Sequence, residues 1–142
     1  MLISEVMRSK GSLVVTVAPD QTVKTLIDLL DEHRIGALVV STDGKTIDGI
    51  VSERDVVRRL HRDGGAVLEQ KVSDIMTSEV RTCAPEDNLE HIARIMTEIR
   101  VRHLPVVSGG ELVAIISIGD VVKNRIDELQ VERDQLVDYI HR

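Results

Sequence analysis

A chain of 142 residues, 42% hydrophobic and 30% charged, has the make-up of a folded globular protein and length for one domain or two small units sharing a core. A net charge of −6, with one Tyr and no Phe or Trp, argues against a general nucleic-acid binder, which needs a basic face and stacking platforms. The single cysteine, Cys83, excludes an internal disulfide and fits a reducing compartment. Met1 to Met7 has no long apolar run behind basic residues, and no stretch approaches the ~18 apolar residues of a membrane span. The cytoplasm is therefore the expected location, and the core must be aliphatic.

In chain order, the dominant pattern is a duplication. Ile3-Ser4-Glu5-Val6-Met7 opens the chain and returns as Val72-Ser73-Asp74-Ile75-Met76. Thr16-Val17-Ala18-Pro19-Asp20 returns as Thr82-Cys83-Ala84-Pro85-Glu86. Val23, Leu26, Ile27 and Leu30, then Leu89, Ile92, Ala93 and Met96, each mark one face of an amphipathic helix. Strand-like runs follow at Ala37–Val40 and Leu104–Val107, with turns at Asp43-Gly44 and Gly109-Gly110. A second strand then enters Ser52-Glu53-Arg54-Asp55 in one copy and Ser117-Ile118-Gly119-Asp120 in the other, each before a basic amphipathic helix. The predicted order in each copy is short helix, strand, helix, strand, turn, strand, helix. Neither copy of about 60 residues buries much surface alone, so the two are expected to pack about a pseudo-two-fold axis.

The expected boundaries are repeat 1 over 1–62, a linker over 63–71, repeat 2 over 72–126 and a C-terminal helical extension over 127–142. Asp63-Gly64-Gly65 reads as a helix stop and hinge. Val122, Ile126, Leu129, Arg133, Leu136 and Ile140 space as a heptad seam flawed at Arg133. That seam packs either on its own domain or on a partner subunit.

The Ser-x-x-Asp turns suit a helix N-cap, and equally a place where hydroxyl, carboxylate and unpaired N–H groups meet a ligand. Other chemistries find little support. The five histidines have neither the spacing nor the cysteine partners of a zinc site, and no metal is expected. Cys83 reads as a small buried apolar residue, with a redox responder as the weaker alternative. No nucleophile–base constellation or Gly-rich phosphate loop is legible, so no catalytic residue and no enzyme is expected.

The repeated order, the Met-ending openers, Arg102-His103-Leu104-Pro105-Val106-Val107 and the two Ser-x-x-Asp turns together resemble a tandem cystathionine-β-synthase (CBS) domain pair of the stand-alone bacterial kind. The resemblance runs from about Ile3 to Ile126 and implies an α/β (α+β) fold of two β-α-β-β-α repeats. It also implies a non-catalytic sensor that binds an adenosyl compound such as AMP, ADP, ATP, NAD(H) or S-adenosylmethionine in clefts between the repeats, with no cofactor required. In that family the Asp of the turn holds the ribose hydroxyls. One implied site, A, combines Leu13, Val15, Ile35, Gly36, Ala37 and Leu38 with Ser117, Gly119 and Asp120. The other, site B, combines Ser52, Arg54, Asp55 and Arg58 with Thr77, Val80, Val101, Arg102, His103, Leu104 and Pro105. Val39 stands where the second copy has Pro105, a departure that weakens the first copy's adenine pocket. An ionised carboxylate accepts from both hydroxyls of a ribose, and Gly119 permits close backbone approach, so the Asp120 turn is the favoured side. Arg54, Arg58, Arg102, His103 and Lys123 are the candidates to balance phosphate charge. A homodimer is the expected assembly, and a ligand-free adaptor acting through its C-terminal helix is the alternative function.

Overall fold

The computed structural model describes residues 1–11 and 14–142. The first copy runs α1 (Ile3–Lys10), β1 (Thr16–Val17), α2 (Val23–His33), β2 (Ala37–Val40), β3 (Gly49–Ser52) and α3 (Glu53–Asp63). After a 3₁₀ turn over Gly64–Glu69 come α4 (Val72–Ile75), α5 (Leu89–Ile99), β4 (His103–Ser108), β5 (Glu111–Ser117) and α6 (Ile118–Ile140).

Local chemistry explains the helix boundaries. The Thr22 hydroxyl accepts from the Thr25 N–H at the start of α2, and Asn88 accepts from the Glu90 N–H at the start of α5. Both helices end on an arginine in the left-handed region, Arg34 at φ 52° and Arg100 at φ 56°. That conformation turns the chain sharply into β2 and β4.

β1 pairs parallel to β2, and β2 pairs antiparallel to β3 from Ala37–Ser52 to Val40–Gly49. β4 and β5 form the matching antiparallel ladder from His103–Ser117 to Ser108–Glu111. Cys83, expected within a strand, makes only a single parallel bridge to Val106. The expected two-repeat α/β architecture with a C-terminal helix is the one observed.

The repeats do not own their opening helices. Ile3 and Val6 of α1 are fully buried among Leu89, Ile92, Met96, Leu104, Val106, Ile116 and Val121 of the second copy. Val72 and Ile75 of α4 lie among Val23, Leu26, Leu38, Val40 and Val51 of the first. Backbone bonds fix the exchange. The N–H groups of Ile3 and Ser4 donate to the Asp87 and Pro85 carbonyls at 2.9 Å each. Those of Val72 and Ser73 donate to the Gln21 and Pro19 carbonyls at 2.8 and 3.0 Å. Thr77 and Ile50 exchange two bonds of 2.9 Å, which brings the segment after α4 onto β3. Gly49 is required there. A Cβ on it would stand 2.7 Å from Met76 Sδ and 2.8 Å from the Thr77 carbonyl oxygen.

α3 stops at Asp63 with Gly64 as its cap, as expected, and the 3₁₀ turn that follows carries Val67 fully buried in the first core. The apolar side chain of Val67 anchors a stretch otherwise rich in turn residues. No helix among the described residues is long and apolar enough to cross a membrane.

Candidate functional site

Each Ser-x-x-Asp turn lies where an inner strand gives way to a helix. At the first, the Ser52 N–H and hydroxyl donate to Asp55 Oδ2 at 2.8 and 3.0 Å, and the Asp55 N–H donates back to Ser52 Oγ at 3.4 Å. The second repeats this with Ser117 and Asp120 at 2.8, 2.9 and 3.1 Å. Both are capping boxes. In both boxes only Oδ2 is engaged among the described residues, so Oδ1 of Asp55 and Oδ1 of Asp120 each remain an available acceptor beside a helix N-terminus.

Asp55 lines a cavity of about 630 Å³ between the start of α3, the segment from Thr77 to Arg81 and the segment from Arg100 to Leu104. The volume is that of a small-molecule site, typically about 300–1,000 Å³. Of the residues expected at site B, Ser52, Arg54, Asp55, Arg58, Thr77, Val80, Val101, Arg102, His103 and Leu104 all line it. Pro105 does not. It is buried within β4, opposite Ile115, and its carbonyl accepts from the Cys83 N–H at 3.0 Å.

Sequence reasoning missed Arg81, Arg100, Glu53 and Glu79, which also face the cavity. Arg100 had a signal, because the residue after a helix and before the Val101 strand entry faces whatever that entry faces. Arg81 and Glu79 are placed by the Thr77–Ile50 pairing, which no periodicity reveals. The wall is mixed: Ile50, Val57, Val80, Val101 and Leu104 are apolar, five arginines are cationic, and Glu53, Asp55 and Glu79 are anionic.

His103 marks the junction of the copies. Its Cε1 is 3.6 Å from where a Gly36 Cβ would stand, with Glu53 Oε1 at 3.4 Å from the same point. Burial pushes the imidazole below its ordinary pKa, and Lys10 and Arg102 lower it further, against opposition from Glu53 and Asp120. His103 is therefore neutral at pH 7.

The residues expected at site A are not brought together around one cavity. Gly36 and Ala37 line the cavity at Asp55. Ile35 lines a second hollow of about 570 Å³ between α2 and α3, beside Ile27, Leu30, Val56 and Val57. Leu38 is buried in the first core, Val15 packs half-buried against it, and Leu13 lies outside the described residues. Ser117, Gly119 and Asp120 line neither cavity. Instead the Lys10 ammonium donates to Asp120 Oδ2 at 2.6 Å and to the Ile115 carbonyl at 2.7 Å. Burial raises the Asp120 pKa, but the Lys10 ammonium and the Ser117 N–H outweigh it and hold the carboxyl below its ordinary range.

Two other sequence candidates lie apart from the cavity. Cys83 is 5% exposed, and burial with the nearby Asp87 carboxylate pushes its thiol up to about 12, so it is not a thiolate at neutral pH. Lys123 is exposed on α6 and lines neither hollow.

Known proteins share both the sequence pattern and the fold. The mitochondrial CBS domain-containing protein CBSX3 of Arabidopsis thaliana is 36% identical, aligning 97% of this chain with 71% of that protein. The crystal structure of a CBS-domain-containing protein of Agrobacterium tumefaciens is 42% identical and superposes with a TM-score of 0.84, covering 88% of this chain and 99% of that one. The CBS domain pair of protein MJ0100, solved with 5′-methylthioadenosine and S-adenosyl-L-methionine, has the same fold at 19% identity, with a TM-score of 0.79 over 90% of this chain and 98% of that one. The CBS domain model itself matches twice, at residues 3–62 and 72–127. These are the two copies whose opening helices are exchanged, and the chain belongs to the CBS domain family as a tandem pair.

Proposed function

We propose that this CBS pair is a non-catalytic regulatory module whose ligand is an anionic adenosyl compound such as AMP, ADP, ATP or NAD(H), bound in the cavity at Asp55. The observation that carries the reading is the combination at one cavity of an available carboxylate oxygen, a helix N-terminus, an aliphatic wall and five arginines. Asp55 Oδ1 suits a ribose diol, since a carboxylate accepts from two neighbouring hydroxyls. Ile50, Val80, Val101 and Leu104 offer a flat apolar surface for a purine in a chain without Phe or Trp. Five guanidinium groups against three carboxylates, with His103 neutral, favour phosphate over the sulfonium of S-adenosylmethionine. That the MJ0100 pair was solved with two adenosyl compounds supports the ligand class.

The test is a thermal-shift panel of AMP, ADP, ATP, NAD, NADH and S-adenosylmethionine, followed by calorimetric titration of each hit. A ligand present at 100 times its Kd stabilises the fold by about 2.7 kcal/mol. Asp55→Ala abolishes the response, and silence across the whole panel sinks the reading.

A second observation supports an assembly. On α6, Val122, Ile126, Leu129, Leu136 and Ile140 are 47–74% exposed, and every residue from Leu129 onward is exposed. We assign this seam to a second copy of the chain, as a homodimer through α6. Truncation after Glu128, which keeps the 3.0 Å pair between Glu128 and the N-terminal ammonium, then converts dimer to monomer by light scattering. An unaltered mass refutes the assignment. If the nucleotide panel is silent while the truncation dissociates the protein, the ligand-free adaptor is the function that stands.

A further inference from the structure

The two Ser-x-x-Asp turns are matched in their own bonding but not in what faces them. Three residues beyond Met7 stands Lys10, and three residues beyond Met76 stands Glu79. Because the opening segments are exchanged, each of these residues reaches the opposite copy. Glu79 lines the cavity at Asp55, whereas Lys10 caps Asp120. A cation and an anion thus stand at the same offset from the two opening methionines, the cation bonded to its turn and the anion on the wall of the cavity at the other.

Lys10 is well held. Its ammonium spans Asp120 Oδ2 at 2.6 Å and the Ile115 carbonyl at 2.7 Å, with the Lys10 and Asp120 side chains 34% and 23% exposed. Asp120 Oδ2 thus carries three donors: the Ser117 N–H, the Ser117 hydroxyl and Lys10. Asp120 Oδ1 carries no donor among the described residues, as at Asp55, so what differs here is the Lys10 ammonium, a charge-assisted bond that a ribose diol bridging both oxygens must displace. At Asp55 it meets no such competitor among the described residues.

We propose that Lys10 is the built-in occupant of the Asp120 turn, so that the chain binds one adenosyl ligand, at Asp55, and loss of Lys10 creates a second site. The inference rests on the adenosyl reading above for its ligand class and adds to it which of the two duplicated turns is closed, and by what.

The full chain is titrated calorimetrically with AMP and, separately, with ATP. Wild type binds one equivalent per chain, and Lys10→Met binds two. Lys10→Arg, which keeps the ion pair, stays at one. Two equivalents in wild type, or one or none in Lys10→Met alongside one in wild type, overturn the role of Lys10 while leaving the adenosyl reading intact. No binding in either protein overturns the adenosyl reading and this inference with it. A ligand-free measurement checks the contact: the His103 imidazole, held down partly by the Lys10 charge, titrates at higher pH in Lys10→Met by NMR. An unmoved His103 midpoint means that Lys10 is not where the closure requires it.

Discussion

Arg34 and Arg100 hold equivalent left-handed positions, a conformation that costs a residue with a Cβ roughly 1–2 kcal/mol. Arg34 is exposed and does not line the cavity at Asp55, so Arg34→Gly should stabilise the fold by about 1 kcal/mol, read from urea unfolding midpoints. Arg100→Gly should give a similar gain in stability but lose nucleotide affinity, because Arg100 faces the cavity. His103 sets a pH dependence at the same scale. Its folded pKa lies below the unfolded value of ~6.5, so the unfolded chain takes up the proton first. Its contribution is complete above that value and is lost as pH falls through the folded one. Unfolding midpoints should therefore drop as pH falls below the ordinary histidine value of ~6.5, and His103→Gln should flatten the slope. Asp120 acts lower on the scale, its contribution present above the ordinary aspartate value near 3.9 and lost as pH falls through its depressed one. At this scale the caps were legible in the sequence because Ser and Asp three apart at a helix start satisfy each other locally. The Lys10 contact was not, because its partner lies 110 residues away.

Elements show where sequence pattern runs out. Period and spacing located α2, α5 and both inner hairpins, since each buries one face and says so in its apolar register. They did not show on whose core α1 and α4 lie, because burial leaves the same signature whichever partner supplies it. They located the stop of α3 at Gly64 but not the burial of Val67 just after it. The crossing of Thr77 onto β3 is the tightest joint of the two copies. Gly49→Ala should cost about 1–3 kcal/mol there, because the new methyl meets a backbone carbonyl that has no room to withdraw. Ile3→Ala should cost about 2–5 kcal/mol, the loss ordinarily seen for a buried isoleucine, although it sits only two residues after Met1. Both values follow from chemical denaturation, and a near-zero effect for Ile3→Ala would mean that α1 does not close the second core.

For the whole molecule, the exchange makes the two cores one cooperative system. Each core is completed by a helix from the other copy, so a single unfolding transition is expected, with fluorescence-free probes such as far-UV circular dichroism and hydrogen exchange coinciding. Fragments 1–70 and 71–142 should each be largely unfolded alone and recover structure on mixing. Independent folding of either fragment would contradict the exchanged cores.

The exchanged openers also bear on how the chain is made. α1 leaves the ribosome before the second copy does, yet the surface that buries Ile3 and Val6 is complete only when Val121 has been added. The first core closes earlier, once Val72 and Ile75 arrive from the start of the second copy. Synthesis therefore runs through a stage in which the first core is nearly finished while α1 waits, apolar face exposed, for the second copy. Contacts between residues this far apart slow folding in general. Lys10, on that waiting helix, can meet Asp120 only at the last step, so the turn it closes is closed from the moment the fold is complete.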